Sequence, residues 1–233
     1  MTRHRCVLFD LDGTLVDSLA DLADSMNRVL VRQGLPPHPT EAYRYFVGDG
    51  MVNLVQRALP PGNNNQQDLI QDCVREMRQE YGLHWADTTR PYPGIAELLD
   101  ALATRGIEMA ILSNKPDRLT QEVVRTLLPN WHFAAIAGAK ETIARKPDPA
   151  GALHIADLLH REPADFLYLG DTNTDMQTAR AARMFAIGAL WGFRTADELK
   201  KNGAQALISV PIELCALLDH AEQSEKQTLP DDC

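Results

Sequence analysis

Two carboxylates at the end of the first apolar segment are the residues best placed to do chemistry. Asp10 and Asp12 follow the run Cys6–Phe9, which is typical of a buried parallel strand, and Gly13 then lets the chain turn. Side chains alternate along an extended chain, so both carboxylates should point the same way. Like charges held that close require a cation, a shared proton or a lysine. The structural alternative is a plain acidic turn between a strand and a loop.

A second polar segment, Ser113-Asn114, follows the apolar run Ile107–Leu112. A hydroxyl and free backbone amides at the end of a strand suit a phosphoryl oxygen, and the helix that follows adds its positive end. Such turns also serve only as helix caps. This segment alone therefore leaves both interpretations open.

Two later segments supply a lysine and two more acids. Lys146 precedes a proline-started helix, and Asp171 and Asp175 follow the apolar run Phe166–Leu169. Several carboxylates beside a phosphate would need compensating positive charge, which Lys146 could provide. Oxygen ligands are those that Mg²⁺ prefers. Taken singly, Lys146 could be a surface lysine and the acids a helix cap and a dipole-compensating charge.

The four segments together resemble the motifs of the haloacid dehalogenase superfamily, in the order in which its phosphatases carry them. The match consists of Asp10-Leu11-Asp12-Gly13-Thr14, Ser113, Lys146, and Gly170-Asp171 with Asp175. The resemblance covers nearly the whole chain. It implies a Mg²⁺-dependent phosphomonoester hydrolase that acts through an aspartyl-phosphate intermediate.

The resemblance also implies a role for each matching residue. Asp10 is expected to be the nucleophile, and Asp12 the general acid and base. Lys146 is expected both to act in catalysis and to bind phosphate, together with Ser113 and the backbone amide of Asn114. The expected metal ligands are Asp10, the backbone carbonyl of Asp12, Asp171 and Asp175.

The order of apolar and amphipathic segments predicts an α/β fold. Helix and strand patterns alternate after Pro91, which indicates a doubly wound parallel sheet, a Rossmann-like core. Residues 16–90 show helical periodicity only. We therefore predict a core of residues 1–15 and 91–233, and a small all-helical cap domain of residues 16–90 inserted after the first strand.

The predicted cap carries the residues expected to select the substrate. Residues 15–18 and the loop 47–50 are similar to those of phosphoglycolate phosphatases, whose substrate carries a small carboxylate. The loop around Gly48, or Arg44 or Arg57 beside it, could hold that carboxylate. Residues 191–195, however, depart from the Gly-Tyr-rich loop of those enzymes.

Two alternatives to phosphoglycolate hydrolysis follow from the sequence. One is a phosphatase of another small metabolite, such as an amino-sugar phosphate, a sugar phosphate, a nucleotide or pyrophosphate. The other is a non-catalytic regulatory protein on the same fold. The acid and base Asp12 weighs against the second, because a binding protein would not need it.

The amino-acid composition limits the classes of partner that the chain is expected to bind. The chain has 233 residues, 45% of them hydrophobic, and a net charge of −9, which argues against nucleic acid as a partner. The four cysteines are widely spaced, as suits a reducing compartment, and no apolar segment is long enough to span a membrane. We expect a cytoplasmic monomer or homodimer acting on a small phosphorylated metabolite.

Overall fold

The computed structural model describes residues 4–218, so the remainder of the predicted core, residues 1–3 and 219–233, lies outside the described residues. The first part of the chain holds one core strand, four helices and two short strands. In chain order these are β1 (Cys6–Phe9), β2 (Val16–Asp17), α1 (Leu19–Arg32), α2 (Tyr43–Phe46), α3 (Met51–Ala58), α4 (Gln67–His84) and β3 (Arg90–Pro91).

The second part of the chain alternates between helices and strands. In chain order these are α5 (Ile95–Thr104), β4 (Glu108–Pro116), α6 (Asp117–Leu127), β5 (Ala135–Ala139), α7 (Ala150–Leu158), β6 (Phe166–Gly170), α8 (Asn173–Ala181), β7 (Phe185–Ala189), α9 (Ala196–Lys201) and β8 (Ala206–Ile208). This alternation produces parallel strands because each helix returns the chain to the same end of the sheet.

Six strands form one parallel sheet in the order β5-β4-β1-β6-β7-β8. Helices cover both faces of the sheet, and the side chains of β1 contact helices on each face. Val7 and Phe9 pack in one hydrophobic cluster with α5 and α6, whereas Cys6 and Leu8 pack in another with α7 and α8. Strands buried on both faces must be apolar throughout, which explains the uninterrupted run of β1. The predicted doubly wound α/β fold is confirmed.

Helices α1 to α4 lie between two short strands that the sequence did not predict. β2 and β3 pair antiparallel, with Val16 opposite Pro91 and Asp17 opposite Arg90. Two residues are too few to show the alternation that identifies a strand in a sequence. The ribbon joins the two ends of the helical segment at its junction with the sheet.

The buried carboxylate of Asp21 holds the C-terminal end of the helical segment, just before β3. Asp21 of α1 accepts hydrogen bonds from the backbone and hydroxyl groups of Thr88 and Thr89, at distances of 2.5 to 3.0 Å. Burial on its own would raise the pKa of Asp21, but these hydrogen bonds lower it overall. Ionised Asp21 therefore stabilises the folded chain.

We expect Asp21→Ala to lower the free energy of unfolding by about 2 to 3 kcal/mol at pH 7, since it leaves buried donors unpaired. A carboxylate with a lowered pKa stabilises the fold above its unfolded pKa of about 3.9, and that contribution is lost as the pH falls through the folded pKa. The difference from the wild type should therefore be complete at pH 7 and shrink below about pH 4. Urea unfolding measures it, with the exposed Asp24→Ala as control. A difference that stays constant down to pH 3 would contradict this account.

No helix within residues 4–218 is long and apolar enough to cross a membrane.

Candidate active site

The predicted reactive residues meet at the carboxyl edge of three neighbouring strands. Asp10 follows β1, Asp171 follows β6, and Ser113 lies near the end of β4. β1 lies between the other two strands, and the backbone N–H of Asp10 continues the ladder by donating to Leu169 O at 2.9 Å. In open α/β sheets this edge is where ligands bind.

Three buried carboxylates form a cluster at this edge. Asp10, Asp171 and Asp175 each offer an oxygen, and these oxygens lie within 4.8 Å of one another. Asp171 accepts hydrogen bonds from the Thr14 hydroxyl at 3.0 Å and from the Phe193 backbone N–H at 2.7 Å. Both oxygens of Asp171 are therefore held in fixed directions.

The local backbone allows this close approach. Gly13 has a φ of +91°, and a Cβ there would lie 2.3 Å from an oxygen of Asp171, so only glycine fits. At the start of α8, Thr172 and Asp175 form a capping box, in which the Thr172 N–H and hydroxyl donate to one Asp175 oxygen at 3.0 and 2.6 Å. The same interaction that begins the helix thus orients Asp175 toward the cluster.

Lys146 supplies the positive charge within this cluster. Its ammonium donates to Asp10 at 2.6 Å, to Asp175 at 2.7 Å and to the Leu112 carbonyl at 3.1 Å. Its side chain is only 3% exposed. The sequence predicted a compensating lysine here, and the structure places Lys146 directly on the proposed nucleophile.

The charges of the cluster do not balance without a cation or protons. Three carboxylates and one ammonium leave an excess of two negative charges. Burial and repulsion from Asp175 raise the pKa of Asp171 to about 7, and burial with repulsion from Asp175 and Asp171 raises that of Asp10 despite Lys146. Burial alone would lower the pKa of Lys146, but Asp10 and Asp175 raise it. Burial is the larger cause for both carboxylates, and the excess of negative charge adds to it.

This arrangement fits a hard divalent cation. The donors are carboxylate oxygens, which Mg²⁺ prefers, and two positive charges would cancel the excess. Asp10, Asp171 and Asp175 could hold such an ion through their side chains. Asp12 is expected to be a metal ligand through its backbone carbonyl only. Its carboxylate points away from the cluster, toward Lys115.

The carboxylate of Asp12 faces a second lysine that sequence reasoning did not assign. The Lys115 ammonium donates to both Asp12 oxygens, at 2.7 and 2.9 Å, and Ser18 donates to the first at 2.7 Å. The Lys115 ammonium also donates to the Tyr81 hydroxyl at 2.8 Å and lies 4.7 Å from the centre of its ring. The position of Lys115, next to Ser113-Asn114, could have drawn attention to it. The helical periodicity around Tyr81 gave no such signal.

These contacts keep Lys115 charged although it is buried. Burial would lower the pKa of its ammonium, but Asp12 and Tyr81 raise it well above its usual range. For Tyr81, burial has the opposite effect and raises the pKa of the phenol to about 12, so the phenol stays neutral. Asp12, Lys115 and Tyr81 therefore form an ion pair supported by a neutral hydroxyl.

Asn114 joins three parts of the site through its side chain. Its amide nitrogen donates to Gly48 O and Lys146 O, both at 3.1 Å, and its amide oxygen accepts from the Lys146 N–H at 3.0 Å. The sequence predicted a role for the backbone amide only. Register in the pairing of β4 with β5 shifts between Leu112 and Pro116, so the Ser113-Asn114 segment departs from regular pairing.

A cavity of about 60 Å³ opens between the sheet edge and the helical segment. Its polar lining on the sheet side comprises Asp10, Asp12, Ser113, Asn114 and Lys115. From the helical side it receives Leu22, Gly48, Leu54 and Tyr81, among others. The predicted loop residue Gly48 thus reaches the cavity together with the proposed catalytic carboxylates.

Arg44 and Arg57 do not line this cavity. Arg44 donates to the Gly192 carbonyl at 2.8 Å and pairs with Glu41, while Arg57 pairs with Asp49 and donates to the Phe46 carbonyl at 3.2 Å. Both arginines are more than a third exposed. Arg57 holds Asp49 of the loop from outside the cavity, whereas Arg44 joins the helical segment to Gly192 of the core.

Arg194 is a further residue that the sequence did not assign. It is buried, and its guanidinium donates to the Val47 carbonyl at 2.9 Å and to the Arg44 carbonyl. Asp49 accepts from the Thr174 hydroxyl at 2.5 Å in the same region. These contacts tie the loop 47–50 to the core.

The carboxyl edge of the parallel sheet thus combines a buried lysine with a cluster of carboxylates whose oxygens fit a divalent cation. Residues 7–189 match the family described as haloacid dehalogenase-like hydrolase, and the chain belongs to this family. The predicted superfamily is confirmed.

Several proteins similar to this chain are named phosphoglycolate phosphatase. A phosphoglycolate phosphatase of Chromobacterium violaceum is 34% identical over 216 residues, covering 92% of this chain and 96% of the relative. One of Pseudomonas putida is 34% identical over 194 residues, covering 82% and 71%. A crystal structure of a predicted phosphoglycolate phosphatase from Haemophilus somnus superposes with a TM-score of 0.85 at 26% identity, covering 93% and 99%.

Proposed function

We propose that this protein is a Mg²⁺-dependent phosphomonoesterase that hydrolyses 2-phosphoglycolate to glycolate and phosphate. The observation that carries the proposal is the position of Asp10, which contacts Lys146, shares an oxygen cluster with Asp171 and Asp175, and lines one cavity with Asp12. The names of the similar relatives support the choice of substrate.

In this reaction Asp10 attacks phosphorus, so that an oxygen–phosphorus bond forms as the ester oxygen leaves. Asp12 donates a proton to that oxygen and then takes one from the water that hydrolyses the aspartyl-phosphate. Lys146, Ser113 and the backbone amide of Asn114 stabilise the charge on the transferring group. A bound Mg²⁺ would neutralise phosphate charge as a Lewis acid, held by Asp10, Asp171 and Asp175.

Phosphate release from 2-phosphoglycolate, measured with Mg²⁺ and with excess EDTA, tests this proposal. We expect turnover with Mg²⁺ and none with EDTA, restored when Mg²⁺ is added back. Equal rates in the two conditions would contradict the assignment of the carboxylate cluster as a cation site.

The role of Asp12 predicts that Asp12→Asn affects substrates unequally. Hydrolysis of 2-phosphoglycolate should fall by roughly 10² to 10⁴-fold, since its alkoxide leaves poorly without a proton. p-Nitrophenyl phosphate has a good leaving group, so the variant should release one equivalent of nitrophenol and then slow at the second step. Rapid-quench kinetics measures both, with the exposed Asp157→Asn as control. Equal losses on both substrates, with no burst, would refute the assignment.

We propose that residues 16–90 form a cap that opens and closes over this site. Three contacts join its loop 47–50 to the core: Asn114 to Gly48, Arg194 to Val47, and Thr174 to Asp49. A rotation of residues 16–90 about the β2–β3 ribbon would break these three hydrogen bonds at the same time. Orthovanadate, a phosphate analogue, should increase hydrogen-exchange protection in residues 43–58, and identical protection with and without it would argue against a moving cap.

The proposed setting is the cytoplasm, with a monomer or homodimer as the active form. Cys6 and Cys73 are buried thiols, as expected of a protein that works in a reducing compartment.

A further inference from the structure

Lys115 is the cationic residue placed to contact the part of the substrate that does not react. Within the part of the chain that the structure describes, the lining of the cavity includes one cationic side chain, that of Lys115. Lys146 is turned into the carboxylate cluster, and Arg44 and Arg57 pair with acids outside the cavity. An anionic substituent on the substrate would therefore meet Lys115.

Three separate elements hold this ammonium in place. Lys115 belongs to β4, Asp12 to the turn after β1, and Tyr81 to α4 of the helical segment. An ammonium has three donors, and the contacts to two Asp12 oxygens and the Tyr81 hydroxyl use all of them. Because Asp12 takes two of the three, one can pass to another carboxylate while the ion pair with Asp12 persists.

We propose that Lys115 is the specificity-determining residue that binds the carboxylate of the substrate. This inference rests on the proposed function, in which Asp12 meets the ester oxygen that leaves. In 2-phosphoglycolate a single methylene separates that oxygen from the carboxylate carbon. A cation 2.7 to 2.9 Å from Asp12 is therefore within reach of the carboxylate when Asp12 contacts the ester oxygen.

The division of charge within the site supports this arrangement. Lys146 lies beside Asp10, where the phosphoryl group must sit, and Lys115 lies beside Asp12, where the leaving group must sit. Each of the two anionic groups of the substrate, the phosphate and the carboxylate, thus meets its own lysine. When Lys115 exchanges one of its hydrogen bonds to Asp12 for one to the substrate carboxylate, one Asp12 oxygen becomes free to contact the ester oxygen. Binding of the carboxylate would therefore help to position Asp12 as the general acid.

The test compares two esters of the same length, 2-phosphoglycolate and 2-hydroxyethyl phosphate, in wild type and Lys115→Met. Loss of a buried charge partner should lower kcat/KM for 2-phosphoglycolate by roughly 100-fold or more. For 2-hydroxyethyl phosphate, which has a neutral hydroxyl in place of the carboxylate, we expect a loss of less than about 10-fold, reflecting the positioning of Asp12 alone. Activity on this ester also shows that the variant is folded.

Two further variants sharpen the result. Arg75→Met removes an exposed cation of α4 that pairs with Asp72 outside the cavity, and should leave the preference between the two esters unchanged. Lys115→Arg keeps the charge and should retain part of the preference for the anionic ester. If Lys115→Met does not fold, two other variants decide: Lys115→Arg, and Tyr81→Phe, which removes one hydrogen-bond partner of the ammonium. The quantity compared is kcat/KM for 2-phosphoglycolate divided by kcat/KM for 2-hydroxyethyl phosphate. A ratio equal to that of wild type in both variants overturns the proposal.

Equal losses on the two esters in Lys115→Met would show that Lys115 acts only on Asp12 and would overturn the proposal. A wild type that hydrolyses 2-phosphoglycolate but does not prefer it to 2-hydroxyethyl phosphate would overturn it as well. Failure of the proposed function is distinguishable, because wild type would then hydrolyse 2-hydroxyethyl phosphate or other esters but not 2-phosphoglycolate.

Discussion

Asp10→Asn is expected to lower the rate of phosphate release by roughly 10⁴-fold or more, because an amide oxygen is a poor nucleophile and the variant cannot form the covalent intermediate. The substitution keeps the shape of the side chain. It also removes one negative charge from a cluster that carries an excess of two, so thermal stability should be unchanged or increased. Loss of activity without loss of stability distinguishes a chemical role from a structural one.

Phosphate release and a thermal melt of the same preparation measure both effects. Asp157→Asn is a matched control, since Asp157 is an exposed acid on α7, away from the sheet edge. Trapping with labelled substrate should place label on wild type but not on Asp10→Asn. Phosphate release by Asp10→Asn at the wild-type rate would remove Asp10 from the mechanism.

Lys146→Met is expected to reduce both activity and stability. Removing the ammonium leaves Asp10 and Asp175 buried without their partner, and breaking a buried ion pair in this way costs about 3 to 5 kcal/mol. Loss of one group that stabilises the transferring phosphoryl should lower kcat by roughly 10² to 10³-fold. Because a divalent cation would offset part of the repulsion, Mg²⁺ should raise the melting temperature of this variant more than that of wild type.

Chemical denaturation and thermal melts with and without Mg²⁺ test this expectation. Lys140→Met provides the control, since Lys140 is half exposed and forms only a surface ion pair with Asp117. Equal stability of Lys146→Met and wild type would mean that the three carboxylates do not share the charge excess described here.

The parallel fold could be predicted because its strands are buried on both faces. The uninterrupted run Cys6–Phe9 and its later counterparts are visible without any structure, and the acids that follow them fall at one sheet edge by geometry. The order of the four segments identified the superfamily. The positions of Asp10, Asp171 and Asp175 in a single cluster follow from the pairing of β1 with β6, and Lys146 reaches the cluster from the segment between β5 and α7.

Contacts between the helical segment and the core could not be predicted in the same way. Lys115 meets Tyr81 only because α4 packs beside the end of β4, and no spacing in the sequence encodes that approach. Arg44 and Arg57 flank the expected loop in sequence, yet their side chains extend away from the cavity. Arg194, in the segment that departs from the phosphoglycolate phosphatase pattern, instead holds the loop in place.

The most direct measurement is Mg²⁺-dependent phosphate release from a panel that contains 2-phosphoglycolate, sugar phosphates including an amino-sugar phosphate, nucleotides and pyrophosphate, ranked by kcat/KM. We expect 2-phosphoglycolate to rank first and activity to require Mg²⁺. Preference for another ester would contradict the proposed substrate while leaving the chemistry of Asp10 in place. No phosphate release from any member, with a folded protein, would contradict the assignment as a phosphatase.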